Sequence, residues 1–448
     1  MVMAIGGRSA NAQTANAGGG LPSSSQQLAQ LAGNWPLIVP GEEAADEAAG
    51  GQAAAQSSGN GGSKFSERAS SRSRNAPRRD NLQAFKVIKY VRGLVGGYEQ
   101  GAGIGLGVEF TTADAIKGVE LYARALTSSR LYRQGEVGAI IGNETNRAQI
   151  WFNYLRRTRD NFFGIGPQTL RSARTTFSVE ARSYNASFAH NFAMGFEAGV
   201  YARVSNTGSF RGEDDEFPDI NLSFTGDPTG ADPTRYLPGL NSNAKLFSYG
   251  AFAELDKRDN ERGLTRGAYL YGRLASVDGL KNGNAFSNYG WIETELDGRV
   301  YIPIFSHKTS LALRGYTELK ETKSGGQIPF YELSFLGGRS HLRGFDNFRF
   351  RGENFAFFSG EFRQTVWEQE EHKGVDVFVF TDAGQVWGDN RSKTDPRIRA
   401  NDPFQSENWR IGVGGGAQYR FNRSTAVRFE LASTNERNHF YFSVSRGF

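Results

Sequence analysis

The stretch WIETELDGRVYIPI, residues 291–304, decides the fold class of this chain. Its alternate residues belong to two different chemical sets. The even-numbered positions are mostly aliphatic: Ile292, Thr294, Leu296, Val300, Ile302 and Ile304. The odd-numbered positions are mostly charged: Glu293, Glu295, Asp297, Arg299 and Tyr301. Since successive side chains of a β-strand point to opposite faces of a sheet, this stretch predicts a strand with one apolar and one charged face.

The same alternation recurs in segments of roughly ten residues, which clusters of Gly, Asn, Asp and Ser separate. Three further strands show an apolar set against its opposing set: Ala268, Leu270 and Leu274 against Tyr269, Tyr271 and Arg273; Val375, Val377 and Val379 against Asp376, Phe378, Phe380 and Asp382; Val427, Phe429 and Leu431 against Arg428 and Glu430. A soluble β-sandwich and a transmembrane barrel both fit such strands. Long strands, turns of uneven length and aromatic residues near strand ends favour an all-β, antiparallel transmembrane β-barrel.

Composition narrows the function classes. The chain has 448 residues, with 56 glycines, 34 phenylalanines and no cysteine, which excludes disulfides, thiolate metal sites and cysteine nucleophiles within it. The net charge of +5 is mildly basic, and Lys and Arg are spread along the chain rather than focused on one stripe. We therefore do not expect a nucleic-acid-binding protein.

No catalytic or metal-binding pattern stands out in the sequence. The histidines are scattered without ligand spacing: His190, His307, His341, His372 and His439. The segment GAGIGLG at 101–107 does not match G-x-G-x-x-G, and there is neither a P-loop lysine motif nor a G-x-S-x-G motif. We expect no enzyme, no cofactor and no metal.

The chain divides into two regions of different composition. Residues 1–80 are rich in Gly, Ala, Ser and Gln, and we predict a disordered tail or linker, because they cannot bury enough surface to offset their ordering entropy. Residues 81–448 carry the strand-and-turn pattern and predict one barrel domain. No run approaches the roughly 18 apolar residues of a membrane-spanning helix. The apolar run at the N-terminus is too short for a signal peptide.

Four blocks of the second region carry a resemblance to a known family. They are LDKRDNERGLTRGAYL (255–270), LGGRSHLRGFDNFRFRGEN (336–354), FTDAGQVW (380–387) and FYFSVSRGF (440–448), with RDNFFGIGP (159–167) as a weaker fifth. In their order and spacing the chain resembles the barrel domain of the bacterial surface antigen family. These outer-membrane barrels of about sixteen strands include the barrel-assembly insertase and the two-partner secretion translocators. The resemblance implies a Gram-negative outer membrane, with lipid and lipopolysaccharide around the barrel.

The resemblance also assigns roles to Arg343, Gly344 and Phe345, at the centre of the second block. In that family the Arg-Gly-Phe tip belongs to a long extracellular loop that folds back into the lumen, where acids of the inner wall hold the arginine. Glu361 and Asp382 lie on the charged faces of their strands and supply carboxylates for the guanidinium fork. We expect Gly344 to permit a turn that a Cβ would obstruct, and Phe345 to pack against the wall. Arg343 is then either a functional clamp or simply the residue that holds a plug in place.

The end of the chain resembles the family's terminal strand, which finishes on an aromatic residue. Phe440, Phe442, Val444 and Phe448 fall on one face of it. A glycine-rich first strand, near 95–111, is expected to pair with it, and each glycine weakens a strand by roughly 0.5–1 kcal/mol relative to alanine. This seam is therefore predicted to be the weakest pairing in the barrel.

Family members generally carry N-terminal POTRA modules that receive client proteins. Residues 1–80 have neither the length nor the pattern for one, so the sequence predicts a member without POTRA modules. Two functions stay open. One is insertion or translocation of proteins at the outer membrane, with unfolded clients and periplasmic accessory proteins as partners. The other is a passive or plugged pore, or a structural outer-membrane protein.

Overall fold

The fold was examined in a computed structural model of the chain. It describes residues 37–38, 91–99, 103–111, 118–143, 145–192, 195–214, 216–230, 232–258, 266–280, 288–369, 373–388, 405–421 and 426–444. Apart from residues 37–38, the predicted tail of residues 1–80 lies outside this described part. None of the helices in the described ranges has the length and apolar character needed to cross a membrane.

Strands make up most of the described residues. They are β1 (Leu37–Ile38), β2 (Val91–Glu99), β3 (Gly103–Thr111), β4 (Val119–Ser128), β5 (Arg133–Gly142), β6 (Asn146–Phe162), β7 (Thr175–Asn191), β8 (Phe196–Arg211), β9 (Asn243–Asp256), β10 (Gly267–Gly279), β11 (Gly290–Ile304), β12 (Ser306–Thr322), β13 (Ser334–Leu336), β14 (Phe350–Gly352), β15 (Asn354–Glu368), β16 (Gly374–Trp387), β17 (Arg410–Arg420), β18 (Ala426–Ser433) and β19 (Asn438–Val444). Short 3-10 helices lie in loops at Arg171–Ala173, Ile220–Leu222, Pro233–Arg235, Phe330–Glu332 and Ser406–Asn408.

The long strands form one antiparallel sheet that returns to its starting strand. From β2 to β12 each strand pairs with the next, β12 pairs with β15, and β15 to β19 continue in order. The last strand, β19, pairs with the first of the series, β2. The short β13 and β14 form a separate ribbon inside the connection from β12 to β15. The predicted all-β antiparallel barrel is confirmed, and its ring of pairing gives backbone groups the partners that hydrocarbon cannot supply.

The burial of side chains on the two faces of the sheet is the opposite of that in a soluble protein. In β11 the charged side chains are buried, with Glu293 3% and Glu295 1% exposed. The aliphatic side chains of the same strand are exposed, with Ile292 at 44% and Leu296 at 47%. A soluble sandwich would bury the aliphatic face and expose the carboxylates. Apolar residues outside and charged residues inside are the arrangement of a barrel surrounded by lipid.

Turn lengths identify the two ends of the barrel. At one end the connections are short: residues 192–195 join β7 to β8, and Phe305 alone joins β11 to β12. At the other end residues 212–242 join β8 to β9, and residues 323–353 join β12 to β15. Outer-membrane barrels have short periplasmic turns and longer extracellular loops, so the two long connections belong to the extracellular end.

The glycine-rich segment near 95–111 does not form the single strand that was expected. It forms two antiparallel strands, β2 and β3, which pair from Glu99 with Gly103 to Val91 with Phe110. Gly103 has a φ of 80°, a left-handed conformation that suits the reversal of the chain there. That part of the sequence expectation was wrong.

The seam between β2 and β19 is narrow. Within the described residues it consists of Phe442 opposite Tyr98 and Ser443 opposite Gly97. Next to these positions, β2 pairs with the short β1 instead, through Val95 with Leu37 and Leu94 with Ile38. Among the described residues the other strand pairs of the ring are longer, so in this part of the chain the seam has the fewest backbone hydrogen bonds.

Because the ring pairs its own backbone, we expect the folded protein to resist dodecyl sulfate at room temperature and to unfold only when boiled. The measurement is gel mobility in dodecyl sulfate with and without boiling. The unboiled protein should run as a distinct band that disappears on boiling. Equal mobility in both samples would contradict a barrel.

Candidate functional site

The connection from β12 to β15, which we call the inner loop (residues 323–353), is folded inward. From Ile328 to Glu353 its residues are buried, apart from three of intermediate exposure. The β13–β14 ribbon closes its base, with Phe335 opposite Arg351. Two residues without the freedom of glycine have left-handed backbones, Leu342 with φ 74° and Phe348 with φ 59°. Such conformations cost about 1–3 kcal/mol each, so the surrounding packing must hold the loop in place.

Arg343 is buried within the barrel, and its guanidinium contacts three acids. Nε and Nη2 donate to the two carboxylate oxygens of Asp382 at 2.7 and 2.8 Å, a two-pronged fork. Nη1 donates to Glu430 at 2.7 Å and to Glu361 at 3.3 Å. Its Cζ lies 3.4 Å from the centre of the Phe380 ring, a cation–π contact. We call Arg343, Glu361, Asp382 and Glu430 the arginine site.

The acids of the arginine site come from three strands of the inner wall, Glu361 from β15, Asp382 from β16 and Glu430 from β18. Two wall arginines share them. Arg428 donates to Glu361 at 2.6 Å and to Glu430 at 2.9 Å, and Arg363 forms an ion pair with Glu361. Glu430 also pairs with Arg339 of the inner loop, whose Nε lies 3.4 Å from its carboxylate. Three carboxylates therefore face four guanidinium groups. Buried charges are tolerated when they are paired and hydrogen-bonded in this way.

Burial alone would lower the pKa of Arg343, but the charge of Asp382, with those of Glu430 and Glu361, raises it well above the ordinary value. The guanidinium therefore keeps its charge throughout the pH range of the folded protein. A permanent cation held by acids of several strands fixes the position of the loop tip.

Gly344 lies where a larger residue would not fit. Its φ is 96°, and a Cβ added to it would lie 2.4 Å from Cγ2 of Thr434. Its N–H donates to the hydroxyl of Tyr441 at 3.0 Å, and its carbonyl accepts from the hydroxyl of Thr434 at 3.0 Å. A Cβ on Gly412 of β17 would lie 2.0 Å from the carbonyl oxygen of Arg343. The tip thus lies directly against β17 and the terminal hairpin of β18 and β19.

Phe345 is 1% exposed and packs against apolar side chains of the loop and the wall. Its ring centre lies 5.3 Å from that of Phe350 in an edge-to-face arrangement. The cluster around it consists of Tyr316, Leu336, Leu342, Phe350, Phe355, Phe357 and Val386. Tyr316, Phe355, Phe357 and Val386 belong to β12, β15 and β16, so this packing joins the loop to the wall on which Glu361 and Asp382 lie.

A second set of ionic contacts lies beyond the loop tip. Asp346 makes hydrogen bonds with Nε2 of His439 at 3.2 Å and Nε of Arg171 at 3.1 Å. Burial alone would raise the pKa of Asp346, but the hydrogen bond with His439 and the charge of Arg171 lower it to about 2. Arg349 forms an ion pair with Glu436 at 2.8 Å. These contacts join the loop to β19, to the turn between β18 and β19 and, through Arg171, to the connection between β6 and β7.

An apolar cluster, which we call the loop core, joins the extracellular loops above the site. Its buried members are Phe162, Phe177, Val179, Ile220, Leu237, Leu240, Ala244, Leu246, Val277, Tyr289, Trp291, Ile328, Phe330, Tyr331 and Leu333. They come from the extracellular ends of strands, from the connection between β10 and β11, from the loop of residues 212–242 and from the inner loop. Phe330 lies at the centre, with ring distances of 5.5 Å to Phe162 and 4.8 Å to Phe177.

The structure describes the terminal strand as far as Val444. Phe440 is 48% exposed on the outer face, and the ring centre of Phe442 lies 5.1 Å from that of Phe429 on β18. Val444 is opposite Val427 in the β18–β19 register. Phe448 lies outside the described residues.

Among the contributors to the site that were not singled out from the sequence are Glu430, Arg428 and Tyr441. The charged face of β18 was visible in the alternation around Val427, so a signal existed for the first two. Alternation assigns a face but not a height along the barrel. Tyr441 gave no signal, because aromatic residues occur on both faces of this barrel.

An apolar outer face, a charged inner wall and a long loop folded inside define an outer-membrane β-barrel of the Gram-negative type. Residues 169–448 match the Omp85 superfamily domain, and the chain belongs to that superfamily. The family resemblance seen in the sequence blocks is therefore confirmed. A search of curated protein sequences found no match.

Two solved structures are similar in fold. BamA from Haemophilus ducreyi lacking POTRA domains 1–3 aligns with a TM-score of 0.57 and 14% identity over 78% of this chain and 69% of that chain. CdiB from Escherichia coli aligns with a TM-score of 0.50 and 10% identity over 78% of this chain. The alignment spans 61% of CdiB, less than two thirds of its length. At these identities the likeness concerns the fold.

We predict that Arg343→Ala releases the inner loop while the barrel stays folded on its strand pairing. The substitution takes from the buried carboxylate of Asp382 the arginine that pairs with it, and breaking such a buried pair costs about 3–5 kcal/mol. Arg343→Lys should rescue only in part, because an ammonium cannot form the fork to Asp382. The measurement is proteinase K cleavage of residues 337–352 in the folded protein.

The control is Arg182→Ala, which removes an arginine with 59% side-chain exposure from its ion pair with Glu180. Such a pair is worth about 0.2–1 kcal/mol, so cleavage should not change. Glu361→Gln combined with Asp382→Asn should release the loop as Arg343→Ala does. Wild-type protection in the Arg343→Ala protein would show that the arginine does not hold the loop.

Proposed function

We propose that this protein assists the insertion or translocation of protein clients at the outer membrane by opening laterally between β2 and β19. The observation that carries this proposal is the narrow seam, in which Phe442 faces Tyr98 and Ser443 faces Gly97. The neighbouring hairpin pairs without interruption from Ser433 opposite Asn438 to Val427 opposite Val444. As far as the strands are described, opening at the seam therefore breaks fewer backbone hydrogen bonds than opening elsewhere in the ring.

The composition of the seam strand supports the same route. The sequence of β2, VRGLVGGYE, contains three glycines at positions 93, 96 and 97. Glycine loses more conformational freedom on pairing than other residues, so it favours separation of a strand from its neighbour. Separation exposes unpaired N–H and C=O groups on β2, and an extended client segment can satisfy them by strand addition.

The loop core favours a lateral route over conduction straight through the lumen. The inner loop and the loop of residues 212–242 pack together around Phe330 and Leu237, both 0% exposed. A chain leaving through the extracellular end would have to disrupt this apolar core. A plugged pore or a structural protein remains the alternative function, and its distinguishing property would be conductance without any effect on clients.

We assign the arginine site the role of a clamp on the inner loop. Arg343 binds acids of β15, β16 and β18, and the neighbouring Gly344 bonds to Tyr441 of β19. These contacts hold the terminal hairpin, one side of the seam, to the rest of the inner wall. In this proposal the partners are unfolded outer-membrane or secreted proteins, periplasmic accessory proteins, and the surrounding lipid and lipopolysaccharide.

The test is a disulfide across the seam. Gly97→Cys and Ser443→Cys replace residues that are opposite each other, and the natural chain has no cysteine to interfere. Directly opposite residues in an antiparallel pair have Cα atoms about 4.5–5.5 Å apart, within the range of a disulfide. In proteoliposomes, the oxidised variant should lose its acceleration of the folding of an unfolded eight-stranded outer-membrane barrel, and a reducing agent should restore it.

The matched control is Val427→Cys with Val444→Cys, which cross-links the adjacent hairpin of β18 and β19 at a similar height. This bond leaves the seam unlocked, so client folding should be unaffected. Full activity with a verified seam disulfide would overturn lateral opening. If the wild-type protein conducts ions but does not accelerate client folding, the passive-pore function is correct instead.

A further inference from the structure

A second buried charge cluster lies where the returning strand of the inner loop meets the barrel wall. Arg157 of β6 is 3% exposed, and Arg351 of β14 is 1% exposed. Nη2 of Arg157 lies 2.8 Å from Oδ2 of Asp160, which is also buried. Both guanidinium groups lie against the Phe348 ring, with Cζ 5.1 Å from its centre for Arg157 and 4.9 Å for Arg351.

Several donors of this cluster have no acceptor. In the described part of the chain, Nε and Nη1 of Arg157 and Nε and Nη2 of Arg351 make no hydrogen bond although they are buried. The second carboxylate oxygen of Asp160 accepts from the hydroxyl of Tyr132 at 3.2 Å. Buried donors without acceptors lose their hydration without compensation, which is costly for charged groups.

In this cluster the positive charges also outnumber the negative charge. Two guanidinium groups face one carboxylate, which leaves one positive charge. Burial lowers the pKa of Arg351 to about 9, against the opposing effect of Asp160. At neutral pH the group is still protonated, so the excess positive charge persists in the folded protein.

We propose that Arg157 and Arg351 bind a small inorganic anion of the phosphate type between the barrel wall and the inner loop. One anion supplies acceptors for the four unmatched nitrogens and balances the charge. Arginine is suited to this role because its planar fork of donors matches an oxyanion. Both arginines are more than nine-tenths buried, so the site fits a free ion better than the phosphate of a lipid headgroup.

The anion would join two parts of the structure. Arg157 belongs to a barrel strand, whereas Arg351 belongs to the ribbon of the inner loop. The backbone of this ribbon is joined to the neighbouring loop, because the N–H of Gly166 donates to the carbonyl oxygen of Arg351 at 2.7 Å. A ligand that binds only when wall and loop are together stabilises that arrangement by mass action. Closure of the loop then depends on the anion concentration outside the cell.

The experiment is a phosphate titration of the full-length folded protein in lipid-free detergent, with ionic strength held constant by sodium gluconate. Calorimetry should show one phosphate per chain, and proteinase K cleavage of residues 323–353 should slow with the same midpoint. Arg351→Met and Arg157→Met should each weaken binding by about tenfold or more, because each removes charge-assisted hydrogen bonds. Arg182→Met, at an exposed position, should bind as the wild type does.

Asp160→Asn gives a result of opposite sign and distinguishes the site from a structural ion pair. Removing the carboxylate raises the excess charge from one to two, so phosphate should bind more tightly and protect the loop at lower concentration. Gel mobility without boiling shows whether each variant is folded. If one of the three variants does not fold, either of the other two still tests the proposal. Any of four results would overturn the proposal. Phosphate does not bind to the wild-type protein, or it binds the two methionine variants as tightly as the wild type. Alternatively, it binds Asp160→Asn more weakly, or binding occurs only in lipopolysaccharide micelles.

Discussion

Backbone N–H and C=O groups inside a membrane have no water to bond with, and the rest of this structure follows from that constraint. The sheet must return to its first strand, so β2 meets β19. Lipid then surrounds the ring, and the outer face carries aliphatic side chains such as Leu296. Charged side chains are left with the inner wall, where access to bulk water is limited. They are stable there when each finds an opposite charge.

The inner wall is accordingly organised as groups of ion pairs that extend across neighbouring strands. On β10 to β12, Arg273 lies 2.8 Å from Glu295, and Arg314 lies 3.0 Å from Asp297. The arginine site continues this pattern on β15 to β18, except that the inner loop supplies two of the cations, Arg343 and Arg339. Buried ion pairs contribute little net stability, but loss of one partner is costly. Charge matching therefore specifies where the loop tip lies more than it adds to the stability of the barrel.

The sequence predicts which face of the sheet a side chain lies on better than it predicts the position of that side chain along the barrel axis. Alternation placed Glu361 and Asp382 on the inner face, and the resemblance placed Arg343 opposite them, and in the structure these three side chains are in contact. Glu430 was on the correct face, but its contact with Arg343 depends on the register of several strands, which alternation does not give. The division of the segment near 95–111 into two strands was missed because glycine suits strands and turns alike. The predicted tail stays a prediction, since only residues 37–38 of it are described.

The inner loop is attached on both sides of the seam, and the two attachments differ in how fully their guanidinium groups are hydrogen-bonded. Its tip binds the β18–β19 hairpin through hydrogen bonds of Gly344 and Arg343. Its returning strand lies near β6, where Arg157 and Arg351 have one acid between them. The seam lies in the arc from β19 through β2 to β6, which the loop spans. Lateral opening would widen this arc and strain both attachments, and the side with donors that lack acceptors would release first. A bound anion on that side would therefore oppose opening.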